Sequence, residues 1–466
     1  MKYLAGALFA LLLLPAAPAS AHEFYFGADL SFANEMDDCG ALYREKGKPK
    51  DVFALFKEHG ANLARIRIWN DGNPTKYSNL ADVERGLRRA KALGMTTLLD
   101  FHYSDWWADG DKQIIPAAWA SIKDDSELAN VLYKYTFDTL MALDKAGLMP
   151  DQVQVGNEIN REILDKGPAK NLPINWKRNA LLINAAIKAV RDAGAQSKTQ
   201  PEVMIQIAQP ENNLIWFEAA KEAGITDFDI IGISYYGKWS NYSMSGLGTA
   251  INLLRNRYPR AKVMLVETAY PHALGPKSGP GFALASDNVV PGYPATPKGQ
   301  AKYMVDISQT VISNGGIGVV YWAPDWIPSQ CRKPKGRGPD WEVMTFFTKK
   351  GEVMPAIDSM RHRYLWPVPV TFRFHAPAAV PGQAFNLWGD FLGVRGFMAV
   401  PLRNEDGNLM FRTALMPGQR IRFQVYGDPA LQTPLLSGKK DFDGFISNVI
   451  PGRETTIDDT LGSVAQ

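Results

Sequence analysis

A (β/α)8 barrel followed by a small C-terminal antiparallel β-sandwich is the α/β fold class predicted for this 466-residue chain. Three observations predict it. Between Phe24 and about Pro367, eight short apolar runs alternate with amphipathic helical stretches. No Gly-x-Gly-x-x-Gly follows the first run, and eight units favour closure over the alternative, an open doubly wound sheet. After Trp366 the helical period disappears and short alternating segments separated by turn sequences take over.

The strands are expected at Phe24–Ser31, Leu63–Asn70, Thr96–Tyr103, Gln152–Asn160, Val203–Ala208, Asp229–Tyr236, Lys262–Tyr270 and Ile317–Trp326. Helices fill the gaps. Val83, Leu87 and Ala90 share one face, as do Ile183, Ala186, Ile187 and Val190. Gly94 and Gly224 stand where helices should end, because only glycine enters the left-handed cap conformation freely. Residues 22–366 are therefore read as the barrel and 367–466 as the sandwich, with Trp366-Pro367-Val368-Pro369 as linker. Within the second region strands are expected at Val370–Phe374, Ala384–Gly389, Phe397–Leu402, Leu409–Ala414 and Arg420–Tyr426.

Met1–Ala21 is different in kind: Lys2, an apolar stretch through Leu14, then Ala19-Ser20-Ala21. This is the pattern of a signal peptide with an A-x-A cleavage site, its apolar core too short to span a bilayer. The mature chain is expected to begin at His22, without a membrane anchor, in the periplasm or outside the cell. The chain is 46% hydrophobic and 21% charged with a formal net charge of +3. No basic block stands out, so nucleic acid is not an expected partner. A monomer is expected.

Two glutamates follow strand-like runs. Gln152–Asn160 (QVQVGNEIN) carries Asn157-Glu158, and Lys262–Tyr270 (KVMLVETAY) carries Glu267. A carboxylate at the lip of a hydrophobic sheet is costly unless it is used. Two of them are what glycoside hydrolysis needs, one as acid/base and one as nucleophile or base. The other strand ends contribute Asp29, Arg67, Asp100, His102, Tyr235, Tyr236 and Trp322, and the following loop Trp106 and Trp107. Aromatic faces stack on sugar rings, while carboxylates and amides bind hydroxyls, so a polysaccharide is the expected partner. Asn157 is placed to hydrogen-bond a sugar hydroxyl, Arg67 to hold Glu267 ionised through a bidentate pair, and Tyr235 or Tyr236 to donate to the same carboxylate. His102 beside Asp100 is read as binding hydroxyls or orienting a carboxylate. One of Trp106 and Trp107 should be a sugar platform and the other a packing residue. Six histidines without ligand spacing argue against a metal-dependent hydrolase.

Several segments carry a resemblance. Gly27-Ala28-Asp29-Leu30-Ser31, Arg65-Ile66-Arg67-Ile68-Trp69-Asn70, Asp100-Phe101-His102-Tyr103-Ser104-Asp105-Trp106-Trp107-Ala108-Asp109, Gly156-Asn157-Glu158-Ile159, Gly232-Ile233-Ser234-Tyr235-Tyr236 and Val266-Glu267-Thr268-Ala269-Tyr270-Pro271 resemble the endo-β-1,4-galactanases of glycoside hydrolase family 53. The resemblance implies a retaining enzyme acting on β-1,4-galactan side chains of pectin, with Glu158 as acid/base and Glu267 as nucleophile. Two segments depart from the family pattern: Asn160-Arg161-Glu162-Ile163-Leu164 replaces small residues and a Leu-Trp-Pro, and Ala323 stands where a Glu is common. Some relatives carry calcium in the loop after strand seven. Leu274–Pro297 has only Asp287 as an acid, so no cofactor is expected and a structural calcium is left open. Alternatives are another barrel glycosidase, such as a mannanase or cellulase, and a non-catalytic carbohydrate-binding protein. Trp388-Gly389-Asp390-Phe391 and Arg420-Ile421-Arg422-Phe423 faintly resemble starch-binding sandwich modules, a structural domain being the other reading. Closing a barrel brings strands one and eight together, so the loops bearing Cys39 and Cys331 should meet and a disulfide is expected.

Overall fold

In the computed structural model, residues 24–70, 75–165, 173–274, 289–330 and 341–375 are described, with 385–389, 400–405, 407–418, 423–426 and 455–460 beyond them. Eight parallel strands close into a barrel: β1 (Tyr25–Asp29), β2 (Leu63–Ile68), β3 (Thr96–Phe101), β4 (Gln152–Val155), β5 (Glu202–Ala208), β6 (Ile230–Ser234), β7 (Lys262–Thr268) and β8 (Gly318–Trp322). β1 pairs with β8 on one side, Asp29 opposite Trp322, and with β2 on the other, which seals the cylinder. The helices are α1 (Ala33–Asp38), α2 (Val52–Glu58), α3 (Leu80–Ala92), α4 (Asp125–Lys145), α5 (Trp176–Ala195), α6 (Pro210–Glu222), α7 (Met244–Arg257) and α8 (Pro297–Ser313).

The expected helix faces are the buried ones: Val83, Leu87 and Ala90 on α3, and Ile183, Ala186, Ile187 and Val190 on α5. Gly94 and Gly224 take positive φ just past the ends of α3 and α6. Among the described residues no helix is long and apolar enough to cross a membrane.

The barrel has two apolar regions. One lies between strands and helices. The other, inside the cylinder, comprises Leu63, Leu98, Met204, Ile230, Met264, Val266 and Val320. Side chains alternate along a strand, so the next inward positions toward the C-terminal end are fixed by this plug. They are Arg65, Asp100, Gln206, Gly232 and Trp322. The interior thus changes from apolar to polar one layer below the mouth.

Every strand is shorter than its sequence-based span except β5, and most of the difference is at the C-terminal end, where residues turn out of the ladder toward the mouth. β7 contains an irregularity: Ile233 of β6 pairs with Leu265, but the next residue, Ser234, pairs with Glu267. The extra residue is a bulge. It allows consecutive residues Val266 and Glu267 both to face inward, the first into the plug and the second into the polar layer.

Beyond the barrel, Val368–His375 is the centre of a four-stranded sheet, antiparallel to Asn408–Leu415 but parallel to Thr455–Thr460. The expected all-antiparallel arrangement is corrected to a mixed sheet. Thr455–Thr460 follows the last expected strand and was not anticipated. Val368 and Pro369, expected in the linker, begin this strand. Pro369 is tolerated because Thr455–Thr460 starts pairing only at Val370, leaving the proline with one neighbour. A three-stranded antiparallel sheet joins Val400–Pro401, Asn386–Gly389 and Phe423–Tyr426. The expected signal segment, Cys331, Asp287 and most of its loop, and residues 390–391 and 420–422 lie outside the described residues.

Candidate active site

Arg65 organises the polar layer. It is 1% exposed and reaches up from β2 between three carboxylates. Its Nη1 donates to Asp29 Oδ2 at 2.8 Å and to Glu267 Oε2 at 3.1 Å, and its Nη2 lies 2.9 Å from Asp100 Oδ2. Nη2 also donates to Asn157 Oδ1 at 2.8 Å, and Nε to Gln154 Oε1 at 3.3 Å. Burial opposes the charge, but Asp100, Asp29 and Glu267 together hold this guanidinium above its ordinary value. Asp100 is fully buried; Arg65 and then His102 outweigh that burial and keep its carboxyl below its ordinary value.

Arg65 takes the role expected of Arg67, which is corrected. Both point inward, being two residues apart on one strand. Arg65 lies one layer deeper, where its side chain comes up beneath Glu267. Arg67 lies at the lip and turns aside into aromatic rings, its guanidinium carbon 4.2 Å from the Phe32 centroid, 4.7 Å from Trp69 and 4.3 Å from Trp107. It makes no ion pair with Glu267, and burial lowers its guanidinium to about 10.

Glu267 is buried. Tyr236 Oη donates to its Oε1 at 2.7 Å, so of the two tyrosines considered Tyr236 is the donor. Tyr235 is corrected: its hydroxyl donates to the Tyr242 carbonyl at 3.0 Å, and only its backbone N–H touches Glu267, at the carbonyl. Burial raises the Glu267 carboxyl above its ordinary value, and Arg65 and the Tyr236 hydrogen bond offset this only in part.

Glu158 sits three residues past the end of β4, in a turn opened by Gly156 (φ 81°) and with its own φ at 47°. A left-handed non-glycine residue is a strained one. The turn is held from outside itself: Gln113 Nε2 donates to the carbonyls of Asn157 and Glu158 at 2.8 and 3.2 Å, and Asn160 brackets Ala208 on β5 with two hydrogen bonds. The carboxyl is half-buried. It accepts from the Gly110 N–H at 3.3 Å. Among the described residues no cation lies within ion-pair distance of it. Burial, then the charge of Glu267, push it well above its ordinary value. The two glutamates therefore occupy opposite environments, one with a cation and a phenol, the other with neither.

His102 is engaged at both ring nitrogens. The Ala108 N–H donates to Nδ1 at 3.1 Å, which makes Nδ1 an acceptor and leaves Nε2–H to face Asp100 at 3.1 Å. The ring orients a carboxylate, one of its two expected roles. Asn157 is also engaged, its Nδ2 donating to the Ala108 carbonyl at 2.8 Å. Trp106 is 37% exposed and meets Trp69 at a tilt with centroids 4.4 Å apart. Trp107 packs against Phe32, Trp69, His102 and Trp322. Of the two, Trp106 is the exposed ring and Trp107 the packing residue. Trp322 meets Trp341 edge-on at 4.4 Å. In the loop after β6, Trp239, 41% exposed, packs edge-on against Tyr236.

Sequence reasoning did not single out Arg65, Gln154, Gln206, Ser234 or Trp239 as site residues. For four of these a signal existed: a polar side chain at the inward parity of an otherwise apolar strand.

The family model for glycosyl hydrolase family 53 matches residues 25–360. An arabinogalactan endo-β-1,4-galactanase of Cellvibrio japonicus is 50% identical over 337 residues, 72% of this chain and 89% of the relative. One from Humicola insolens is 30% identical, covering 73% of this chain and 99% of the relative. Among solved structures, the family 53 catalytic domain of Ignisphaera aggregans superposes with a TM-score of 0.66 at 31% identity, covering 74% of this chain and 98% of that one. The matched span includes every barrel strand and both glutamates, and the chain belongs to glycosyl hydrolase family 53.

Proposed function

We propose that the protein is an exported, endo-acting, retaining β-1,4-galactanase in which Glu158 is the acid/base and Glu267 the nucleophile. The observation that carries the assignment is the asymmetry between the two carboxyls. A nucleophile must be ionised before it attacks, and Glu267 has Arg65 and Tyr236 on its two oxygens. An acid must hold its proton until the leaving oxygen takes it, and Glu158 has no cation and a neighbouring negative charge. In the first step Glu267 attacks the anomeric carbon as Glu158 protonates the departing oxygen. In the second, water deprotonated by Glu158 releases the sugar with its configuration retained. Exposed aromatics on both sides of the pair, Trp106 and Trp239, suit a substrate that runs through the site rather than ending in it. The galactan assignment rests on the named relatives.

Export rests on the apolar, A-x-A-terminated segment Met1–Ala21. The C-terminal region is read as a β-sandwich because buried residues of its two sheets form one cluster, Phe372 meeting Phe423 at 5.2 Å.

Azide separates the two roles. Glu158→Ala with an aryl β-galactoside substrate should be rescued to a β-glycosyl azide, and Glu267→Ala to the α anomer. The reverse pattern would exchange the residues, and α product from the unmodified enzyme by NMR would remove the retaining mechanism.

A further inference from the structure

Between the two glutamates stands Gln206, on β5 and 0% exposed. Its amide orientation is forced by its neighbours. Arg65 can only donate, so Gln154 must turn Oε1 to it and Nε2 away. Gln154 Nε2 then donates to Gln206 Oε1 at 2.6 Å. The Glu158 backbone N–H, also a pure donor, meets the same Gln206 oxygen at 3.0 Å. Gln206 Nε2 is thereby turned to the other side, where it donates to Ser234 Oγ at 2.9 Å and lies 3.4 Å from Glu267 Oε2. The Gln206 backbone carbonyl accepts from the Ile159 N–H at 3.1 Å.

We propose that Gln206 is a positioning residue that sets the two catalytic carboxylates against each other. One end of its amide pins the strained Glu158 backbone, and the other holds the near oxygen of Glu267. Neither an apolar residue nor a carboxylate can replace it, because the site requires an acceptor on one side and a donor on the other. This rests on the assignment of Glu158 and Glu267 above.

The experiment compares the full-length enzyme with Gln206→Met and Gln206→Glu on β-1,4-galactan and on an aryl β-galactobioside. Displacing a catalytic group by about 1 Å costs on the order of 100-fold. Both variants should therefore lose about 100-fold in kcat on galactan with KM within about threefold. The loss should be smaller on the aryl substrate, whose leaving group needs less help from Glu158. In Gln206→Met the acid limb of the kcat/KM profile should move to higher pH, because Glu267 loses a donor. Wild-type kcat with an unshifted profile in Gln206→Met overturns the proposal. So does an equal loss on both substrates that tracks the folded fraction in a thermal melt, since that is a purely structural effect. Wild-type enzyme that turns over the aryl glycoside but not galactan would overturn the substrate reading instead, and the Gln206 comparison would still be read on the aryl substrate.

Discussion

At the scale of single residues, the chemistry is set by what touches each carboxyl. In the proposed roles Glu267 must be ionised and Glu158 protonated, so the kcat/KM profile should be a bell with Glu267 on its acid limb and Glu158 on its alkaline limb. Tyr236→Phe removes the donor on Glu267 Oε1. A hydrogen bond to a charged group is worth about 1.5–3 kcal/mol, so the Glu267 carboxyl should rise and the acid limb should move up by about one pH unit or more. An unmoved acid limb would show that Tyr236 does not act on Glu267. Arg65→Met leaves Asp29, Asp100 and Glu267 without their cation. Removing one partner from a buried ionic group costs about 3–5 kcal/mol, and the thermal midpoint should fall together with kcat. The contrast between Arg65 and Arg67 marks where reading the sequence stops. Both glutamates, Asp100, His102 and Tyr236 were legible because each ends or follows an apolar run. Both arginines have inward parity, and which of them reaches Glu267 depends on depth in the barrel, a property of the strand stagger that no local pattern encodes.

At the scale of elements, the strands were legible in number and order because buried parallel strands read as apolar runs. Their ends were not. Glu158 was read as closing a strand, whereas β4 stops at Val155 and the glutamate lies in a left-handed turn. Likewise the bulge in β7 has no local signature. It becomes visible only when β6 and β7 are in register. The turn after β4 depends on Gly156, whose φ is 81°, and a Cβ there would lie 2.5 Å from Ile159 Cγ2. Gly156→Ala therefore carries the left-handed penalty of roughly 1–2 kcal/mol and a contact that must push Ile159 away. Since Ile159 adjoins Glu158, kcat should fall by about tenfold or more, with the alkaline limb displaced. A variant equal to wild type in both respects would show that the turn does not set the acid/base.

At the scale of the molecule, the loops after β1 and β8 clasp the barrel seam, and two predictions belong there. Asp325, in the loop after β8, is fully buried, and neither carboxylate oxygen has a hydrogen-bond partner among the described residues. Burial, then the charge of Asp29, raise its carboxyl to about 8, opposed by Arg67. The unfolded chain releases this proton near 4, the folded one only near 8. The folded state then binds more protons across that interval, and stability falls as pH rises through it. Asp325→Asn cannot ionise, so its thermal midpoint relative to wild type should increase from pH 5 to pH 8; a constant difference would exclude this role. The second prediction is the disulfide. The Gln330 N–H donates to the Cys39 carbonyl at 3.1 Å, and the Tyr43 hydroxyl to the Asp325 carbonyl at 2.6 Å. The residue preceding Cys331 is therefore already bonded to Cys39, and no free cysteine stands among the described residues. The two are 292 positions apart, so a bond between them would close most of the barrel into one loop. Chain entropy for so long a loop gives on the order of 5 kcal/mol, an upper figure because strain and residual unfolded structure reduce it. The denatured, unreduced protein should show no reactive thiol, and reduction should lower the unfolding midpoint. Two reactive thiols per chain before reduction would refute the bond.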